Sequence, residues 1–155
     1  MKKFLPKIWK ALPESEFLRG ILVWLVTQKF LAGVAAIILN NQGQILLFQH
    51  TYRKKKSWGL PGGYVKRGEL PAQALKREIM EESGLQVKVT KPLIISGDDQ
   101  WPRIDLVFLC QILSEDFKSS DEVSAMKFFE LDDLPELIRS QRKIIDHLRD
   151  SGELD

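Results

Sequence analysis

The segment GGYVKRGELPAQALKREIMEESGL, Gly62 to Leu85, decides how this 155-residue chain is read. Within it AQALKREIMEES holds no helix breaker, Pro71 suits the first helical position, and Gly84 suits the left-handed residue that follows a last turn. The segment predicts a helix. At about 100° per residue, Glu78, Glu81 and Glu82 fall within an arc of roughly 100°. Ala72, Leu75 and Ile79 lie on the flanking stripe, which puts the carboxylates at the edge of the buried face. Like charges three and four residues apart destabilise an exposed helix by roughly 0.2–0.5 kcal/mol per pair, and by more when desolvated. Arg77 reaches Glu81 at i,i+4, yet one guanidinium cannot neutralise three acids. A hard divalent cation, which takes carboxylate oxygens, can; a solvated acidic face is the alternative.

The rest of the chain sets bounds on what that helix serves. A length of 155 residues with 44% hydrophobic and 28% charged side chains suits one globular domain. The net charge of +2 is too small for a nucleic-acid footprint over the whole surface, although Arg53, Lys54, Lys55 and Lys56 form a local basic run. The single cysteine, Cys110, sits in the apolar run IDLVFLCQI and reads as a buried small hydrophobe in a chain from a reducing cytoplasm. Lys7 and Lys10 interrupt the opening MKKFLPKIWKAL, and Gln28 with Lys29 interrupts GILVWLVTQKFLAGVAAIIL, so neither a signal peptide nor a spanning helix is expected. Phe17, Leu18, Ile21, Leu22 and Leu25 recur at helical spacing, predicting an amphipathic helix that ends near Gln28. Residues 1–30 therefore read as a helical extension before a domain at 31–155. The apolar face of that helix calls for packing on this domain or on a second copy of the chain. A membrane surface, with Lys2, Lys3, Lys7 and Lys10 as anchors, is less favoured.

Strands and helices then alternate without repeats or low-complexity tracts, which points to an α/β fold. GVAAIIL (33–39) and QILLFQH (44–50) read as strands joined by NNQG into an antiparallel hairpin, with Asn41 or Gly43 supplying a positive φ. QVKVT (86–90), LIIS (93–96), RIDLVFLCQIL (103–113) and KFFEL (127–131) are further strand candidates. DDLPELIRSQRKIIDHLRD carries Leu137, Ile138, Ile144, Ile145 and Leu148 at helical intervals and predicts a closing helix.

Gly63, five residues, Glu69, seven residues, Arg77-Glu78-Ile79, one residue, Glu81-Glu82, one residue, and Gly84-Leu85 together resemble the signature of the Nudix hydrolases, with nine specified positions filled within 23 residues. SWGLPGGYVKRGE resembles the family's W-x-L-P-G-G approach, and the order of elements is similar over roughly residues 31–148. Leu70 departs from the pattern, since many relatives carry a small polar cap there; the departure bears on helix stability and not on chemistry. The resemblance implies an α/β/α sandwich with a mixed sheet. It also implies Mg²⁺- or Mn²⁺-dependent hydrolysis of a small nucleoside diphosphate linked to another group. By the same resemblance, Glu78 and Glu82 are the principal metal ligands, Glu81 a further one, and the Gly62 carbonyl a backbone ligand. Arg77 orients a glutamate of the site, and Glu69 fixes the loop or a metal-bound water. The general base in this family often comes from a downstream loop, where SSDEVSAMKFFEL offers Asp121 and Glu122; Glu122 is preferred for reach, with Glu78 as runner-up.

Substrate choice is less legible. Arg53 and His50 are candidates for holding phosphates, Trp58 resembles a packed framework residue, and Trp101, in a turn beside Asp98 and Pro102, is a candidate for stacking on a base, with a core lid as the alternative. Nucleic acid is not expected as a partner except as a capped RNA end. A Nudix-fold sensor that binds nucleotide without cleaving it would be expected to lose box glutamates, and none is lost. Prenyl-diphosphate isomerases share the fold, but Cys110 lies inside an apolar strand and does not resemble their nucleophile.

Overall fold

The computed structural model describes residues 15–98, 100–114 and 116–154. The lysines at 2, 3, 7 and 10, and with them the anchors of the membrane-surface alternative, lie outside the described residues. The chain divides into two compact units, one ending at Phe30 and the other running from Leu31.

In the first unit, helix α1 (Glu16–Val26) begins where Ser15 Oγ accepts from Leu18 N at 3.5 Å and ends before Thr27, whose hydroxyl donates to the Val23 carbonyl. The expected helix is present and stops just short of Gln28. Lys29 Nζ lies 4.5 Å from the Trp24 ring centroid, a cation–π contact. Among the described residues no helix is long and apolar enough to cross a membrane.

The second unit contains β1 (Leu31–Ile38), β2 (Ile45–His50), β3 (Trp58–Gly59), β4 (Gly62–Tyr64), α2 (Pro71–Ser83), β5 (Gln86–Gly97), β6 (Arg103–Ser114), β7 (Val123–Phe129) and α3 (Arg139–Asp150). Two sheets form, ordered β4-β1-β6-β5 and β3-β2-β7. The first is mixed, because β1 runs parallel to β6 and antiparallel to β4. Successive residues of a strand face opposite sides. Val34, Ala36 and Ile38 accordingly pack with Leu75 and Ile79 of α2, while Ala35 and Ile37 pack with Ile144, Ile145 and Leu148 of α3. That double burial explains the unbroken apolar run of β1 and makes the α/β/α sandwich.

Several local expectations are corrected. The turn after β1 forms as read, with Gly43 at φ 76 and Asn40 Oδ1 accepting from Gln42 N and Gln44 N, but β1 and β2 share only a single bridge, Leu39 to Ile45. No hairpin ladder follows, because both edges of β1 are already taken by β4 and β6. QVKVT and LIIS are one strand, β5, joined across register shifts around Val89/Lys91 and Pro92/Ile94; such bulges absorb a proline that cannot donate to the ladder. The last strand starts at Val123, its register set by pairing with β2 from Ile45–Phe129 to His50–Val123. The closing helix begins only at Arg139, and the segment ahead of it places Leu137 in the core.

Candidate active site

The site is assembled around α2. Pro71 starts the helix, Leu70 makes no side-chain cap, and Gly84 ends it in the left-handed conformation, all as the sequence implies. Its buried residues are Ala74, Leu75, Ile79, Glu82 and Ser83. Glu82 thus lies in the buried face, at 6% exposure, and not at its edge, whereas Glu81 is exposed and pairs with Arg77 at 3.1 Å and with Lys66 at 4.0 Å. The 100° arc straddles the boundary between core and solvent, so neighbouring glutamates meet opposite environments.

The loop ahead of α2 approaches the helix through two glycines that serve different ends. Gly62 adopts φ 151, and a Cβ there would fall 2.0 Å from the Val34 carbonyl oxygen, so only glycine permits the β1–β4 pairing at that point. At Gly63 the obstruction is the Glu78 side chain, whose Cδ would lie 2.4 Å from such an atom. The missing side chain is what lets Glu78 lie against the loop, where Tyr64 N donates to its Oε1 at 3.4 Å.

Glu78, Glu82, Glu122, Gly62 and Gly63 line one cavity of about 180 Å³, together with His50, Arg53 and Tyr52. Glu82 is held there well above the ordinary carboxyl range, at about 8, first by burial and then by the charges of Glu78 and Glu122; a hydrogen bond from the Gly62 backbone opposes the shift. Its Oε2 is buried without a hydrogen-bond partner. Glu69 is drawn down to about 2, chiefly by its hydrogen bond from Arg77, with Lys66 N donating to it at 3.1 Å as well. His50 is lowered to about 4 by burial and by the Arg53 charge, and so is neutral through the physiological range.

Among the described residues no three His, Cys, Asp or Glu side chains converge as a ready cation cage. Glu78 leans to Arg77, with Nη1 at 2.8 Å from its Oε1, and Glu81 is paired at the rim. The donor set nevertheless fits a hard divalent cation. Glu78, Glu82 and Glu122 share a cavity with a glycine-lined loop, and the buried Glu82 carries an oxygen that no protein donor satisfies.

Of the residues singled out in the sequence, Glu78, Glu82, Gly62, Glu122, Arg53 and His50 meet in this cavity. Asp121 does not line it, and Lys56 pairs with Glu136 at 3.1 Å. Arg77, on α2, pairs with Glu69 of the loop ahead of the helix, and neither lines the cavity. Trp101 is 69% exposed and lines a neighbouring cavity with Asp98, Arg103 and Ser140; Arg103 and Ile138 border both cavities. Trp58 packs edge-on against Phe129 at 5.0 Å, as a framework residue. The Cys110 thiol is buried and pushed up to about 12, which removes it as a nucleophile.

The structure adds lining residues that sequence reasoning did not single out. Arg103 binds Asp105 (Nε to Oδ2, 3.0 Å) and Asp98 (3.2 Å), with Asp105 Oδ1 in the space a Gly33 side chain would take. A signal existed, for arginine and aspartate two apart in RIDLVFL share one strand face. Tyr52 and Gln141 also line the cavity, and nothing in their local sequence marks them.

Comparison with known proteins agrees with this geometry. The NUDIX domain family pattern matches residues 29–148. An ADP-ribose pyrophosphatase of Methanocaldococcus jannaschii is 36% identical over 118 residues, covering 72% of this chain and 70% of that protein. A human 8-oxo-dGDP phosphatase is 34% identical over 94 residues, covering 59% of this chain but only 28% of the longer protein. Among solved structures, an ADP-ribose pyrophosphatase of Streptococcus suis superposes with a TM-score of 0.67 at 25% identity, over 80% of this chain and 92% of that one.

Proposed function

The chain belongs to the Nudix family and is a hydrolase of pyrophosphate bonds, and from that premise we propose that residues 31–155 form a Mg²⁺- or Mn²⁺-dependent pyrophosphohydrolase of nucleoside diphosphate derivatives, with ADP-ribose the first substrate to try. The observation that carries this reading is the unsatisfied Glu82 Oε2, buried in one cavity with Glu78, Glu122 and two further unsatisfied atoms, His50 Nε2 and Arg53 Nη1. A buried Glu82 whose pKa is raised by burial and by the charges of Glu78 and Glu122 marks a site short of positive charge; buried nitrogens beside it leave it short of negative oxygen. A metal-bound pyrophosphate supplies both. ADP-ribose is favoured by the relatives of M. jannaschii and S. suis, the first of which matches over most of both chains.

In this reading Glu78 and Glu82 hold the cation, with Glu81 and the Gly62 carbonyl as further ligands. Bound there, a divalent ion offsets the charge of the phosphates and lowers the pKa of a coordinated water. Glu122 takes the proton of the attacking water, because a carboxylate not engaged in coordination keeps its basicity. Arg77, held by Glu69, fixes the direction of Glu78. Arg53 and His50 grip phosphate oxygens, and Trp101 stacks on the base in the adjoining cavity. We place the enzyme in the cytoplasm, acting on small molecules and not on nucleic acid.

The test is a panel of nucleoside diphosphate derivatives incubated with Mg²⁺ or Mn²⁺ and resolved by chromatography. ADP-ribose should yield AMP and ribose 5-phosphate, and excess chelator should stop the reaction. Turnover that survives the chelator, or no turnover of any member, would sink this reading.

A further inference from the structure

Arg103 stands between the two cavities and lines both. Its Nε donates to Asp105 Oδ2 at 3.0 Å, and its Nη2 donates to Asp98 Oδ2 and to Ser140 Oγ, each at 3.2 Å. Asp98 in turn holds the turn that carries Trp101, with Oδ1 accepting from Gln100 N at 2.8 Å and from Trp101 N at 3.2 Å. One guanidinium thus fixes Asp105, in the cavity of the box glutamates, relative to Trp101 in the neighbouring one.

The neighbours of Asp105 set where its carboxylate lies. Gly33 pairs with Tyr64 across one edge of β1 and with Asp105 across the other, so the three share one face of the sheet. No positive φ calls for glycine at position 33; its missing side chain leaves the space in which Asp105 Oδ1 lies. Oδ2 is taken by Arg103, and among the described residues no donor engages Oδ1. The Asp105 side chain is 15% exposed. Burial raises its carboxyl above the ordinary value against the pull of Arg103, with Asp98 adding to the rise. A carboxylate satisfied on one oxygen only is completed by further hydrogen-bond donors.

Charge decides what those donors belong to. The single Arg103 charge faces two carboxylates, Asp98 and Asp105, so the junction is acidic and repels phosphate. Neutral hydroxyls bring donors without charge. With the diphosphate held at Glu78 and Glu82 and the base on Trp101, what joins the two in a nucleotide is the ribose, whose 2′- and 3′-hydroxyls form a vicinal pair. Carboxylates take a ribose hydroxyl in dinucleotide sites of an unrelated fold for the same chemical reason.

We infer that Asp105, held by Arg103 and given room by Gly33, accepts from the ribose hydroxyls of the substrate and makes this site selective for ribonucleotides over deoxyribonucleotides. The inference rests on the pyrophosphohydrolase reading for the placing of diphosphate and base.

The experiment uses the full chain with Mg²⁺ and reads the binding of ADP, 2′-deoxy-ADP and 3′-deoxy-ADP by calorimetry. The parent should bind ADP about ten-fold more tightly than either analogue, the loss of one hydrogen bond to a charged acceptor. Asp105→Ala should bring the three affinities within about twofold of one another, chiefly by weakening ADP. Asp105→Asn keeps the shape and an oxygen for Arg103 Nε but turns an amide donor to the sugar, so it should cut the ribose preference by about three-fold or more. That variant decides the matter if the alanine variant does not fold. An Asp105 with only a structural role would change the melting temperature, or all three affinities alike, and leave their ratios in place. Affinities within about twofold of one another in the parent, an absence of ADP binding, or a ribose preference that persists in the folded variants overturns the inference. If the panel of derivatives is hydrolysed while ADP and its deoxy analogues bind alike, selectivity at Asp105 falls and the hydrolase stands. If ribose is preferred in an Asp105-dependent way and no compound is hydrolysed, the reverse holds.

Discussion

Arg77 grips Glu69 through two parallel hydrogen bonds, Nε to Oε1 at 2.8 Å and Nη2 to Oε2 at 2.9 Å. The same guanidinium accepts no compromise in shape: it also reaches Glu78 Oε1 at 2.8 Å and the Tyr64 carbonyl at 3.1 Å, so one planar group links loop, helix and a cavity-lining carboxylate. Lysine offers a point charge and no fork. Arg77→Lys should therefore lower kcat by about 10–100-fold while circular dichroism stays unchanged. A kcat near that of the parent would show that Glu78 needs no such holder.

Glu82 couples the site to stability. Its folded pKa of about 8 lies above the ordinary 4.5, so the folded state holds this proton more tightly than the unfolded chain does. The linked stability is fully present below about pH 4.5, declines as pH rises and is lost above about pH 8. Metal-free protein should accordingly melt at lower temperature at pH 8 than at pH 5. Glu82→Gln should flatten that slope and raise the melting temperature at pH 8 by roughly 4–8 °C, the equivalent of about 2 kcal/mol. The same variant should lose activity by orders of magnitude. A melting curve at pH 8 that the substitution leaves in place would mean that Glu82 ionises without strain.

Glu122 is expected to act on the proton and not on the metal. Glu122→Gln should reduce kcat by about 10²–10⁴-fold and remove the acidic limb of the pH–rate profile, with the metal concentration for half activity unchanged. If the limb persists, the base is Glu78, since Asp121 does not line the cavity.

The two loop glycines should fail differently. Gly62→Ala sets a side chain against the Val34 backbone at a strained φ and should destabilise the fold by about 2 kcal/mol or more, seen in urea unfolding. In Gly63→Ala the clash is with the Glu78 side chain, which can rotate away. Stability should then be nearly retained while activity drops, because the carboxylate has been moved. Equal loss of stability in both would contradict this division.

Much of the site was legible because its residues are neighbours in the chain. The box glutamates share a helix whose start at Pro71 and end at Gly84 are local backbone matters, and helical periodicity places Glu78, Glu81 and Glu82 together before any tertiary contact forms. The glycines announce themselves in the same way. Periodicity does not report depth, however. Which glutamate of the three is buried depends on how α2 rolls against β1, so the 6% exposure of Glu82 and the rim position of Glu81 emerge only when the core packs.

What the amino-acid sequence determined by itself was the class of fold, the family resemblance and the local elements bearing the carboxylates, since each depends on spacing within about twenty residues. Strand pairing lay beyond it. The parallel partnership of β1 with β6 took the edge that a hairpin with β2 would have used, and a choice between ladder partners is settled by the energy of the whole sheet and not by the turn between two strands. The meeting of three side chains beside Gly59 belongs to the same category. His50, Arg53 and Gln141 come from β2, the following loop and α3, and Leu60 N is 81 residues from the Gln141 oxygen that it engages. Only tertiary packing brings such atoms to one point, because burial of the two faces of β1 against α2 and α3 is what fixes where the closing helix lies.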